Sequence, residues 1–211
     1  MSPATAPAQA QAQTHAQAQA PGGCRRLERR ARIEQAALEL FRRHGFDAVT
    51  VEDVCARAGV GPATFYRHFG TKEEVVVGYE EQFTAALRSA VAAAGAGEAG
   101  RLERLSRILT AFACYLQTQE GLLAVRDEIV LPNPPLLRRT LAVQRALEAE
   151  LAAGLARLRG LARADDAAVL DAAVGMAVLR TAMRAWRDRG GPPLPEATAG
   201  ALDDARALFR V

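Results

Sequence analysis

The stretch TVEDVCARAGVGPATFYRHFGTK, residues 50–72, carries Thr50, Tyr66, Arg67, His68 and Lys72. Hydroxyl, phenol, guanidinium, imidazole N–H and ammonium are all hydrogen-bond donors, and together they suit phosphate oxygens. His68 taken alone fits a capping or solvated histidine equally well. Phe65 and Phe69 are four residues apart and face one way, toward a core. Tyr66 lies on a different face, so a single apolar stripe does not absorb all three aromatics. Catalysis is a poor match for these groups. No GxSxG, HExxH, Walker or dinucleotide glycine pattern occurs. His15, His44, His68, Cys24, Cys55 and Cys114 show no metal-ligand spacing, so no metal and no cofactor is expected. The odd number of widely spaced cysteines fits a reducing cytosol.

The elements that must position these donors are short. Thr50 caps a helix over Val51–Ala58, with Asp53 completing a capping-box variant and Gly59 stopping it. Gly61 is a permissive cap, and Pro62 takes the first position of a helix that runs to about His68. Gly70 stops that helix. Thr71 and Glu74 form another capping box and open a long helix through roughly Ala93. Upstream, Leu27, Ile33, Ala36, Ala37, Leu40 and Phe41 recur at helical spacing, and Gly45 ends their helix. Two short helices joined by a tight glycine turn form a helix-turn-helix, whose second helix can enter a major groove about 12 Å wide. The alternative is an ordinary α-hairpin in a bundle.

The chain has 211 residues and a net charge of +3, unevenly placed. Residues 1–72 hold ten Lys/Arg against six Asp/Glu, while the remainder holds seventeen against eighteen. A basic segment joined to a near-neutral one points to a polyanion partner for the first. Half the residues are apolar, few are aromatic and Ala is abundant, which predicts an all-α fold. Residues 1–22, rich in Ala, Gln and Pro, read as a disordered tail and lack the marks of a secretory signal. No run of apolar residues is long enough to span a membrane.

These motifs resemble the DNA-binding segment of the tetracycline-repressor (TetR) family. The likeness covers about fifty residues, 27–78, through IEQAALELFRRHGFDAVTVEDV and TVEDVCARAGVGPATFYRHFGTKEEVV. It implies an all-helical homodimer with an N-terminal three-helix reader, residues 23–72, and a ligand-binding, dimer-forming helical domain, residues 73–211. By the same resemblance Thr50, Tyr66, His68 and Lys72 meet phosphates, with Arg67 beside them. Gly61, Pro62, Ala63 and Thr64 fall where the recognition helix meets base edges. A Ser is frequent in the family where Gly61 stands, so one hydroxyl contact is missing here. Arg25, Arg26, Arg29 and Arg30 either touch the DNA backbone or minor groove or form a solvated basic face.

Downstream, RLERLSRILTAFACYLQTQ is amphipathic, with Leu102, Leu105, Leu109, Phe112, Ala113 and Leu116 on one side. Gly121 interrupts it. Asn133 and Pro134 or Pro135 open a helix to about Leu158, and Asp165 or Asp166 caps the next. That helix, Ala167 to Trp186, is apolar around most of its circumference, with Val174 and Val178 among its bulky residues. It is either a central core helix or one shared between its own core and a twin subunit. A last helix runs from about Pro195 to Phe209. The order VRDEIVLPNPPLLRRTLAVQ, long helix, RTAMRAWRDRGG is similar to a TetR subgroup with an acyl-CoA-like ligand-binding domain, the mycofactocin-system regulator type. On that likeness Phe112, Tyr115 and Leu116 line a tunnel, and Arg126, Arg180 and Arg184 hold phosphates. A solvated face or an internal ion pair is the other reading of each Arg. The expected protein is a cytoplasmic bacterial regulator, a repressor released from a palindromic operator by a small apolar or acyl-CoA-like ligand. The rival expectation is a ligand-independent architectural DNA binder or an activator.

Overall fold

The computed structural model describes residues 21–95, 100–188 and 191–208, with side chains from Arg25 onward. Ten helices and no strand occur among these residues: α1 Pro21–His44, α2 Val51–Ala58, α3 Pro62–His68, α4 Lys72–Val77, α5 Glu80–Ala94, α6 Arg101–Thr118, α7 Glu120–Val130, α8 Pro134–Leu158, α9 Asp166–Arg187 and α10 Leu194–Leu208. Pro21 and Gly22, expected in the tail, form the first turn of α1. Residues 1–20 of that tail, and Phe209 at the expected end of the last helix, lie outside the described residues.

Local caps set the short helices. Thr50 accepts the Asp53 N–H, and Asp53 accepts the Thr50 N–H at 2.9 Å, which closes a full capping box on α2. Gly45 and Gly59 have φ of 87° and 65°, left-handed values that glycine adopts without a Cβ penalty. α3 ends at Phe69 in extended backbone, and the Gly70 N–H goes to the Glu74 carboxylate at 2.7 Å. Thr71 accepts the Glu74 N–H at 3.3 Å, so the start of α4 is doubly capped.

The long helix expected over 71–93 is broken. α4 ends at Gly78, Tyr79 follows, and α5 restarts at Glu80. Gly78 still donates to Glu74 O at 2.8 Å, but its ψ of 28° leaves the helical range. The break turns the Tyr79 ring inward, where it is buried and packs at a tilt against Phe83, ring centroids 4.5 Å apart. Gly121 lies inside the first turn of α7, and the interruption falls instead at Gln119.

α1 packs on α2, α4 and α7, and α2 packs on α3. Ile33, Phe41, Val54, Phe65 and Phe69 fill the space between them. Each such burial contributes roughly 1.5–3 kcal/mol. The buried stripe of α1 begins only at Ile33, so Leu27, expected in the core, projects into solvent at 69% exposure. Leu102, in the first turn of α6, is likewise largely exposed, while the rest of its stripe is buried. Beyond α4, α5 packs on α6 and α8, α8 on α9, and α10 on both α9 and α6. Gly175 lets α9 lie close to its neighbours: a Cβ there would meet Leu105 at 3.0 Å and Leu151 at 3.4 Å. Val178 faces this core, whereas Val174 is half-buried and Val169 and Leu170 are exposed. No helix among the described residues is long and apolar enough to cross a membrane.

Candidate functional site

α3 presents one face outward. Gly61, Pro62, Ala63, Tyr66 and Arg67 are exposed, Thr64 and His68 half-buried, and Phe65 and Phe69 buried beneath. The Tyr66 hydroxyl makes no hydrogen bond to the described residues, and its ring rests edge-on against Phe65 at 5.5 Å. Gly61 caps α3 with backbone alone. Thr50 and Lys72 are more committed than their types suggest. The Thr50 hydroxyl donates to Asp53 at 2.6 Å. The Lys72 ammonium donates to Phe46 O at 2.9 Å and Val49 O at 3.0 Å, and sits over the Phe46 ring. It thereby ties the start of α4 to the loop between α1 and α2, with one ammonium proton left over.

Arg30 of α1 reaches the same surface from behind. Its Nη1 donates to His68 O at 2.6 Å, and its guanidinium lies 4.2 Å from the Phe69 ring centroid. A cation on the last carbonyls of a helix is favourable. Arg30 is therefore a brace between α1 and α3, whereas Arg25, Arg26 and Arg29 are exposed. Burial pushes the His68 imidazole pKa down, and Arg67, Arg26, Arg30 and Arg29 push it further the same way. The result is a convex, positively charged surface with unspent donors, able to hold phosphates and present small side chains to base edges.

A second feature lies on the other side of α4. A partly open cavity of about 300 Å³ sits among α5–α9, lined mainly by apolar side chains such as Phe83, Phe112, Leu116, Leu147 and Met176. Of the expected ligand set, Phe112, Leu116, Arg126 and Arg180 line it. Tyr115 does not; it stacks behind Phe112 at 6.4 Å and 14° and meets Phe83 edge-on. Arg184 does not either; it is exposed, while Met183 and Arg187 on either side of it along α9 reach the cavity. Arg180 is exposed and marks the cavity mouth.

Arg126 is the opposite case. It is 4% exposed and ion-paired through Nη2 to Glu34 of α1. Its guanidinium lies 4.9 Å from the centroid of Tyr79, at the α4–α5 break. Its Nε and Nη1 are buried with no hydrogen-bond partner. Beside it, Asp127 pairs with Arg187 at 2.7 Å; burial pushes the Asp127 carboxyl up, against the pull of Arg187. A CoA phosphate, which stays near solvent, does not suit a guanidinium this deep. Sequence reasoning missed Glu34, Tyr79, Asp127 and Arg187. Glu34 lies 92 residues from Arg126, so no local spacing signals the pair.

Residues 33–78 match the family model described as bacterial regulatory proteins, tetR family. The HTH-type transcriptional regulator TcmR of Streptomyces glaucescens is 32% identical over 202 residues, covering 90% of this chain and 87% of its own. BetI of Rhizobium meliloti, also an HTH-type transcriptional regulator, is 31% identical over 66% of this chain and 68% of its own. Among solved structures, Thermus thermophilus FadR, a TetR-family transcriptional repressor in complex with lauroyl-CoA, is 27% identical. It superposes with a TM-score of 0.55 over 86% of this chain and 95% of that one. These relatives are regulators and not enzymes; the chain belongs to the TetR family and is a DNA-binding transcriptional regulator.

Proposed function

We infer that the protein is a homodimeric repressor that leaves a palindromic operator when a small apolar or acyl ligand fills the cavity among α5–α9. Residues 23–72 serve as the reader and residues 73–211 as the ligand-binding and dimer-forming part. Tyr66, Arg67, His68 and the remaining ammonium proton of Lys72 hold phosphates. Gly61, Pro62, Ala63 and Thr64 meet base edges, and Thr50 holds α2 in place beneath them. Lauroyl-CoA bound to the Thermus FadR supports an acyl ligand. The observation that carries the reading is the partly open, mainly apolar cavity itself, which abuts the α4–α5 break through Tyr79. A dry, filled second half would have supported a ligand-independent binder instead.

The test is to select bound fragments from the host genome, then titrate acyl-CoA esters of graded length with and without the selected DNA. Coupling of about 1–3 kcal/mol, or 5–150-fold in affinity, is typical, and linkage makes it reciprocal. A ligand that binds equally well with and without operator is not an effector, and the release mechanism then fails.

A further inference from the structure

Arg126 is an anomaly for a structural residue. A buried guanidinium normally spends most of its five N–H donors, since each unsatisfied one is costly. Here Nη2 meets Glu34 while Nε and Nη1 have no partner, in the wall of a mainly apolar cavity. The charge count around the cavity points the same way. Arg126, Arg180 and Arg187 stand against Glu34 and Asp127, and Arg180 has no ion pair among the described residues. The cation without an ion pair stands exposed at the mouth, where it can steer an anion inward. The cavity volume, about 300 Å³, lies at the small end for ligand sites, which favours a compact ligand.

We propose that the cavity takes a compact apolar carboxylic acid, entering carboxylate-first, whose head group bonds Arg126 and competes with Glu34 for the same guanidinium. The proposal rests on the cavity being the effector site. An acyl thioester entering tail-first would bring only a methyl group to Arg126 and leave its donors unpaired. A free carboxylate that displaces the side chains covering Nε and Nη1 satisfies them. Both bidentate edges of a guanidinium, Nε with Nη2 and Nη1 with Nη2, include the nitrogen that Glu34 holds. A bidentate ligand thus brings a second carboxylate onto Nη2, and the two repel. Glu34 is on α1, and the Tyr79 ring under the same guanidinium sits at the α4–α5 break. One cation touches both routes from the cavity to the reader, so occupancy reaches α1 through a broken or weakened Arg126–Glu34 pair.

The experiment uses the full-length protein and a fixed probe set: straight-chain carboxylates of six to twelve carbons, the matched primary alcohols and the matched CoA thioesters. Calorimetry on the wild type should show at least one acid binding at least tenfold more tightly than its alcohol and its thioester. Arg126→Met should erase that preference. Glu34→Gln, a milder change at a half-buried site, should tighten the acid several-fold, because Arg126 is no longer shared. In Glu34→Gln the acid should also release selected DNA less effectively than in the wild type. Acids and alcohols binding alike, or thioesters binding best, would overturn the head-group proposal and leave the cavity reading standing. Acid binding unchanged in Glu34→Gln would overturn the competition. Binding by no probe of any length would count against both.

Discussion

Tyr66 and Lys72 are both donors near the reader surface, but their hydrogen-bonding commitments differ. Tyr66 has no internal hydrogen bond, so Tyr66→Phe should leave stability unchanged and weaken binding to all DNA sequences about equally. Lys72 bonds two carbonyls, and hydrogen bonds to a charged group are worth roughly 1.5–3 kcal/mol. Lys72→Ala should therefore lower stability by about that amount and also reduce the salt slope of binding by about one unit. Urea melts and a salt series separate the two; a Lys72→Ala protein of wild-type stability would refute the bracing role. His68 gives a pH signature. Burial and the cations Arg67, Arg26, Arg30 and Arg29 depress its pKa in the free protein, so the imidazole is neutral at neutral pH. A depressed folded pKa means the unfolded chain takes the proton first, so this group costs stability as pH falls through its unfolded value. Phosphate contact would raise the pKa. DNA binding then takes up a proton, and affinity rises as pH falls across the window between free and bound values. Affinity measured at several pH values should tighten toward acid in the wild type relative to His68→Gln. Parallel curves would remove His68 from the phosphate set.

At the level of elements, the break at Gly78 is the departure with the most consequence. A Cβ there would overlap the Glu74 carbonyl oxygen. Gly78→Ala should cost about 1–3 kcal/mol, the usual cost of forcing atoms into a filled space. Gly121 is the control: it is exposed in the first turn of α7, and a Cβ meets nothing within 4 Å. Gly121→Ala should gain about 0.5–1 kcal/mol by relieving helix entropy. Denaturant midpoints with unchanged slopes would check both, and equal effects at the two glycines would mean the break is unconstrained. The contrast explains what was legible. α2 and α3 could be delimited because their ends are written in adjacent residues: Thr50 with Asp53, Gly59, Pro62. A lone glycine inside a helical pattern is ambiguous, since helices tolerate it at a modest cost. At Gly78 the decision is made by Tyr79 turning into the core, and at Gly121 by nothing that opposes the helix. The exposure of Tyr66 and Arg67 was legible for the same local reason, whereas the internal bonds of Lys72 to Phe46 and Val49 were not. The cavity was legible only in part: Phe112 and Leu116 follow from periodicity, but the partner of Arg126 lies on a distant helix and has no local trace.

For the whole molecule, the outer face of α9 carries Leu170, Ala173, Ala177, Thr181 and Arg184 along one stripe, all exposed except Ala173, which is half-buried. Beside it α10 presents Ala199, Gly200, Asp203 and Ala207. Leu170 is 61% exposed, an unusual place for a leucine unless a second surface covers it. Small residues flanking it allow two helix pairs to approach closely, and a two-fold dimer would form a four-helix interface in which the same stripe meets itself. The sequence pattern leaves Val174 and Val178 open to either the interface or the core, and Val178, 5% exposed, belongs to the chain's own core. Two glutamates on adjacent positions therefore separate assembly from folding. Ala177→Glu should yield a folded monomer with wild-type helicity, because its side chain projects into solvent in the isolated chain. Val178→Glu should unfold the second half of the molecule, because an unpaired carboxylate is buried among apolar neighbours. In a dimer the two α3 helices must stand about 34–36 Å apart to read successive major grooves, so the Ala177→Glu monomer should also lose most of its operator affinity while keeping half-site contacts. Sedimentation, circular dichroism and DNA binding on the two variants decide it. An Ala177→Glu protein that still sediments as a dimer places the interface elsewhere, and a wild-type monomer that binds operator fully would end the dimeric reading.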